Sequence, residues 1–222
     1  GVYSISETNE MIPLHLKPYV TLTSLSEDTK WTLDSEGLFP GAASSWTRGD
    51  FTVRNAIFKR ATSIAKFGVL AVSGADFVTY ENIKFIDIIP HPIDDEEYYS
   101  PTFGGSSRYK TYRNIEVYGN SQVYGTSVYP HFATNSWAVV DRVKIDRVRG
   151  QGIRIDLETI DDYTKNVIIS NSIVTNCSDI HALEAFGSAS PIPLEQQKLL
   201  IVNNTLTGNM GEPVVRVVNR LS

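Results

Sequence analysis

The 222-residue chain is long enough for one large domain or two small ones, and 41 % hydrophobic residues suffice for a continuous core. A formal charge of −5 and a pI near 5.4 argue against a nucleic-acid or anionic-membrane surface, because phosphate binding draws on clustered Lys and Arg. Cys177 is the only cysteine, which excludes an intrachain disulfide and a thiolate metal cluster, and no apolar run reaches the roughly 18 residues of a membrane-spanning helix.

In chain order, Gly1-Val2-Tyr3-Ser4-Ile5 followed by Tyr19-Val20-Thr21-Leu22 reads as an opening pair of strands without the basic and then apolar signature of a secretory signal. The start at Gly1 rather than Met points to a mature product or an excerpt of something longer. Residues 31–47 are less regular. Beyond them a unit recurs: a polar residue, a short β-branched run, then a turn rich in Asn, Asp, Ser and Gly. Its examples are Asn82-Ile83-Lys84-Phe85-Ile86, Asn114-Ile115-Glu116-Val117-Tyr118, Arg142-Val143-Lys144-Ile145-Asp146, Ser172-Ile173-Val174 and Thr205-Leu206-Thr207. Taking Ile57, Ile83, Ile115, Val143, Ile173 and Leu206 as equivalent gives spacings of 26, 32, 28, 30 and 33 residues. A period that wanders by a few residues is the mark of a stacked solenoid whose coils carry loops of variable length, whereas a sandwich shows closer turn signals. The predicted fold is therefore all-β: a single-stranded right-handed parallel β-helix, one domain over 1–222. Residues 89–111, with Pro90, Pro92, Asp94-Asp95-Glu96-Glu97 and Gly104-Gly105, and residues 187–197, with Pro191 and Pro193, read as long loop excursions.

A second strand aligns in the later coils: Val128-Tyr129-Pro130-His131, Ile153-Arg154-Ile155-Asp156-Leu157-Glu158, Ile180-His181-Ala182-Leu183 and Val215-Arg216-Val217-Val218. With Ile153, Ile180 and Val215 inward, alternation sends Arg154, His181 and Arg216 outward in a column with Tyr129, with His131, Asp156 and Glu158 beside it. Glu184 joins this patch if the strand bulges after Leu183.

The opening Gly1-Val2-Tyr3-Ser4-Ile5 with Leu16-Lys17-Pro18-Tyr19-Val20-Thr21-Leu22 resembles the first coil of pectin-lyase-like β-helix proteins, and Asn166-Val167-Ile168-Ile169-Ser170-Asn171-Ser172-Ile173-Val174-Thr175-Asn176-Cys177 resembles their later coils. The resemblance covers most of the chain and marks a fold, not a reaction. The paired-Asp pattern of polygalacturonases and the Arg-x-Pro-x-x-Arg of pectate lyases are both absent. What survives resembles phage tailspike and appendage proteins. That resemblance implies a polysaccharide partner, no nucleic acid, no membrane insertion, assembly as a homotrimer, and a place outside the cell or on a virion.

Two reactions fit the outward patch. Glycoside hydrolysis needs two carboxyl groups, and Asp156 and Glu158, two apart on one strand face, sit roughly 6.5 to 7 Å apart, near the inverting geometry. Elimination needs a base, His181 or Tyr129, with Arg154 or Arg216 holding a uronate. The same charges also read as a solvated face, and His131 and His181 as structural histidines. A non-catalytic spike or adhesin, and a secreted lyase or hydrolase, are the competing functions. No cofactor is implied; the acidic run at 94–97 is the one Ca²⁺ candidate and reads more simply as a solvated loop. Cys177 reads as a small core residue, Asn82 and Asn114 as turn or ladder residues. The tyrosines of the middle third, 98, 99, 109, 112, 118, 124 and 129, outnumber what a narrow aliphatic core needs and suit stacking on sugar rings or a subunit interface.

Overall fold

The computed structural model describes residues 2–4, 14–15, 17–24, 30–34, 43–45, 49–60, 70–72, 75–87, 103–104, 106–119, 131–147, 152–156, 165–177, 182–187, 197–208 and 215–219. Among them lie strands and no helix. The strands are β1 (Val2–Ser4), β2 (Leu14–His15), β3 (Val20–Leu22), β4 (Trp31–Asp34), β5 (Ala43–Ser45), β6 (Asp50–Lys59), β7 (Leu70–Val72), β8 (Phe77–Ile86), β9 (Phe103–Gly104), β10 (Ser106–Tyr118), β11 (His131–Asp146), β12 (Ile153–Asp156), β13 (Lys165–Ser170), β14 (Ile173–Thr175), β15 (Leu183–Gly187), β16 (Gln197–Val202), β17 (Thr205–Thr207) and β18 (Val215–Asn219).

The long sheet runs β1-β4-β6-β8-β10-β11-β13-β16, with β3, β14 and β17 pairing onto it, and two short sheets, β2-β5-β7-β9 and β12-β15-β18, form the third side of successive coils. Every pairing is parallel. The chain is a β-helix: each coil adds one rung and its connection carries the chain up to the next.

What bends each rung is a left-handed residue. Asn55, Asn82, Asn114, Arg142, Asn171 and Asn203 have φ between 52° and 56°, and Arg60, Asp87, Arg147, Asn176 and Gly208, each five residues further on, have φ between 48° and 65°. Asn tolerates this region because its short amide bonds locally, and Gly has no Cβ to clash. Two corners therefore recur at a fixed separation while the rest of the coil varies in length. The amide N–H of Arg60, Asp87, Arg147 and Asn176 each donates to a carbonyl of the next coil, as Asp87 does to Tyr118 and Arg147 to Thr175, 3.2 and 3.1 Å. Asn82 Nδ2 donates to Asn55 Oδ1 and Asn203 Nδ2 to Asn171 Oδ1, both at 2.8 Å, so the asparagines form the ladder their spacing predicts.

Alternation along the strands sends Phe51, Val53, Tyr80, Ile83, Phe85, Ile115, Val140, Val143, Ile145, Ile169 and Val174 inward, essentially without solvent contact. Inside, aromatic rings stack from coil to coil: Phe58 on Phe85 and Tyr80 on Tyr112, each pair 5.4 Å between centroids. Cys177 is buried, as predicted.

The register corrects the repeat in three places. Ala56, not Ile57, pairs with Ile83, and Lys144 pairs with Ile173, which puts Ser172 and then Asn204 level with Val143. The aliphatic residue was a false guide here, because a polar ladder replaces it: Ser172 Oγ accepts from the Val143 N–H and donates to the Ser170 carbonyl, and Asn204 accepts from the Ser172 N–H and donates to the Ile169 carbonyl. Ile173 is consequently on the outside. Of the predicted excursion at 89–111, residues 103–104 and 106–111 are strand, pairing with β7 and β8, while 88–102 lies outside the described residues; so do 188–196 of the second excursion.

Candidate functional site: an outer aromatic ladder

Between the start of each rung and its first corner, three outward positions repeat from coil to coil. The first row reads Asp50, Phe77, Tyr109, Trp137, Asn166, Lys198. Phe77 and Tyr109 stack with centroids 4.7 Å apart and planes 11° apart. Trp137 continues the column 6.1 Å from Tyr109 but tilts by 57°, and the next coil holds Asn166, so among the described residues no aromatic continues the column beyond it. Phe77 is 52 % and Trp137 51 % exposed, a large aromatic surface left in water. Beside Trp137 the ladder of β10 and β11 shifts, Ser107 pairing with Phe132 but Tyr109 with Trp137, so extra residues of β11 are absorbed as a bulge just before the tryptophan.

The second outward row is Thr52, Thr79, Thr111, Val139, Ile168, Leu200, which sets hydroxyls beside the first two rings and aliphatic surface beyond the tryptophan. The third row alternates in charge through Arg54, Glu81, Arg113 and Asp141. Arg113 lies 3.9 Å from both Glu81 and Asp141. Asp141 is held more firmly: it accepts from Asn171 Nδ2 at 2.8 Å, Ser170 Oγ at 3.0 Å and Arg142 Nε at 3.0 Å, and these bonds, Asn171 first, keep its carboxyl below the usual range. The second corner repeats the device, Asp146 accepting from Asn176 at 2.8 Å, Thr175 at 2.9 Å and Arg147 at 3.0 Å. Burial works against that carboxylate, yet these bonds also hold its pKa low. Both aspartates are clamps across coils, and each also holds the arginine that follows it, Arg142 or Arg147, at a left-handed corner.

Of the residues predicted to form a site, Arg154, Asp156, Glu184 and Arg216 lie on the short sheet β12-β15-β18. Ile153 pairs with Leu183 and Leu183 with Val215, so the second strand is displaced by three residues from the alignment on Ile180. The row beside it is Arg154, Glu184, Arg216; Glu184 occupies the level expected of His181, with no bulge needed. His181, Tyr129 and Glu158 lie outside the described residues. Asp156 is level with Phe186 and Val218. His131 opens β11 in the long sheet, level with Ser106, and so does not belong to the β12-β15-β18 row. Among the described residues no three His, Cys, Asp or Glu gather as metal ligands, and the acidic run 94–97 is not among them.

Of the tyrosines assigned to sugar stacking, Tyr109 is in the ladder, whereas Tyr112 is buried in the core and pairs with Tyr80. Phe77 and Trp137 were missed. The signal existed: Phe77, Tyr109 and Trp137 each stand five residues before a first-corner residue, Asn82, Asn114 or Arg142. No family model, curated protein or solved structure matches this chain.

Proposed function

We propose that the chain binds a bacterial surface polysaccharide along the outside of its solenoid, as a phage tailspike-like protein does, and depolymerises it. The observation that supports binding is the Phe77–Tyr109–Trp137 ladder with its flanking Thr79 and Thr111. Sugar rings present apolar C–H faces ringed by hydroxyls, and an open indole beside threonine hydroxyls complements both. Rungs about 4.8 Å apart repeat that texture along an axis, which suits a polymer better than a compact ligand. Homotrimeric assembly and a place on a virion or outside the cell belong to the same reading.

Cutting is assigned to the other row. Asp156 and Glu184 stand on adjacent coils two positions out of step, a diagonal of about 7 to 8 Å between backbones. Arg154 and Arg216 flank Glu184 in register. One carboxyl protonates the leaving oxygen while the other activates water.

Incubating the protein with a panel of capsular and teichoic-acid polymers tests the proposal. Retarded migration in polymer-containing gels shows binding; new reducing ends show hydrolysis, and new ultraviolet-absorbing unsaturated ends show elimination. D156A and E184A are expected to abolish new ends without weakening retardation. Binding without new ends would reduce the protein to an adhesin, and no retardation by any polymer would refute the proposal.

A further inference from the structure

Around the first corner from the aromatic ladder, the outer face carries a different chemistry. Lys84, Glu116 and Lys144 stand in one row on three successive coils, and Tyr118 is two positions beyond Glu116. The Lys84 ammonium lies 4.7 Å and the Lys144 ammonium 5.3 Å from the centre of the same Tyr118 ring. Lys84 pairs with Glu116 at 3.5 Å. Lys30, half-buried, feels both the Glu116 carboxylate and the repulsion of Lys84, and burial lowers its pKa. Lys144 hydrogen-bonds the Tyr118 hydroxyl, which raises the lysine's pKa.

Among the described residues the charges around Tyr118 do not balance. Glu116 is the carboxylate that Lys30, Lys84 and Lys144 share, and Asp146, the next nearest, is already engaged by Asn176, Thr175 and Arg147. Two ammonium groups over one ring gain from its quadrupole, and the one Glu116 carboxylate between them offsets only one of their two charges. The Tyr118 oxygen, accepting from Lys144, keeps its O–H free to donate. On a chain of net charge −5 this is a local positive spot, with donors on three adjoining coils.

We propose that Lys84, Lys144 and the Tyr118 hydroxyl form an anion-binding site for a phosphate or carboxylate group borne on a polymer. The lysines supply charge, the phenol supplies a directed hydrogen bond, and Glu116 spaces Lys84 from Lys144. This site lies on a face separate from the ladder and acts independently of it.

The test titrates wild-type protein and K84Q/K144Q with three polymers at low salt: poly(glycerol phosphate), poly-glutamate and uncharged dextran. The phosphate and carboxylate arms identify the group preferred. At least one polyanion is expected to bind wild type with an affinity that falls as salt rises, and K84Q/K144Q is expected to lose on the order of tenfold in that affinity with a shallower salt slope. Y118F, which keeps the ring and removes the donor, is expected to lose part of it. Unchanged polyanion affinity in K84Q/K144Q, or failure of both polyanions to bind wild type, would overturn the site. Lys84 and Lys144 are on the surface, and an unaltered far-ultraviolet spectrum checks that the variant is folded.

Discussion

Lys110 points into the coil between Val78 and Ala138, and burial lowers its pKa to about 7. A lysine ionised inside a β-helix costs stability, and linkage sets where. Below about pH 7 the ammonium is charged in both states and the cost is present in full. Between about 7 and 10.5 the unfolded chain holds a proton that the folded chain has released, so stability rises with pH. Asp141 and Asp146 act at the other end: their lowered folded values contribute stability that is present at neutral pH and is lost as acid protonates them. Buried Tyr80 and Tyr112 have raised values, so stability falls again once the unfolded phenols ionise. Urea midpoints are expected to be lowest in acid and to climb between about pH 7 and 9.5. K110M is expected to remove the climb; an unchanged slope would refute the role of Lys110. Nothing in the sequence marked this lysine, because the period that would have placed it inward is masked by the insertions before it.

At the scale of the element, the unit is a four-residue segment held between two left-handed corners. Between neighbouring first corners the spacing ranges from 27 residues, Asn55 to Asn82, to 32, Asn82 to Asn114, so the connections absorb all variation and the segment none. An extra glycine after Lys84 would turn Phe85 from core to solvent and break the pairing with Val117. That insertion is expected to cost several kcal/mol, comparable to removing a large core residue, whereas the same glycine after Asp95, in the stretch that the sequence reads as a loop excursion, is expected to cost only the small entropy of a longer loop. Equal losses of denaturation midpoint from the two insertions would contradict the corner model. The parallel stack and the asparagine corners were legible because Asn82-Ile83 and Asn114-Ile115 keep a polar residue beside an aliphatic one. The register failed where Ser172 and Asn204 took the inward position, since hydrogen bonding there replaces apolar burial and leaves no hydrophobic mark. The second strand slipped for a related reason: Ile180 and Leu183 are equally apolar, and only pairing with Ile153 separates them.

For the whole molecule, stacking turns single outward residues into rows, and the rows differ in chemistry: aromatic rings and hydroxyls before the first corner, lysines and a phenol after it, arginines and carboxyls on the short sheet. The sequence showed that residues line up from coil to coil and set Arg154 and Arg216 at one level, which the register through Glu184 also gives. It did not reveal the ladder, because Phe77, Tyr109 and Trp137 differ in identity and are only brought into line by the corners that follow them. A ladder of rings left in water is the feature that core packing does not explain, and a polymer lying along it gives the exposure a use. The most direct measurement is the affinity of the wild-type chain, W137A and F77A for whichever surface polysaccharide retards the protein. Each substitution is expected to weaken binding on the order of tenfold while leaving the unfolding free energy within about 1 kcal/mol of wild type. Wild-type affinity in both variants would contradict the ladder as the place where the polymer binds.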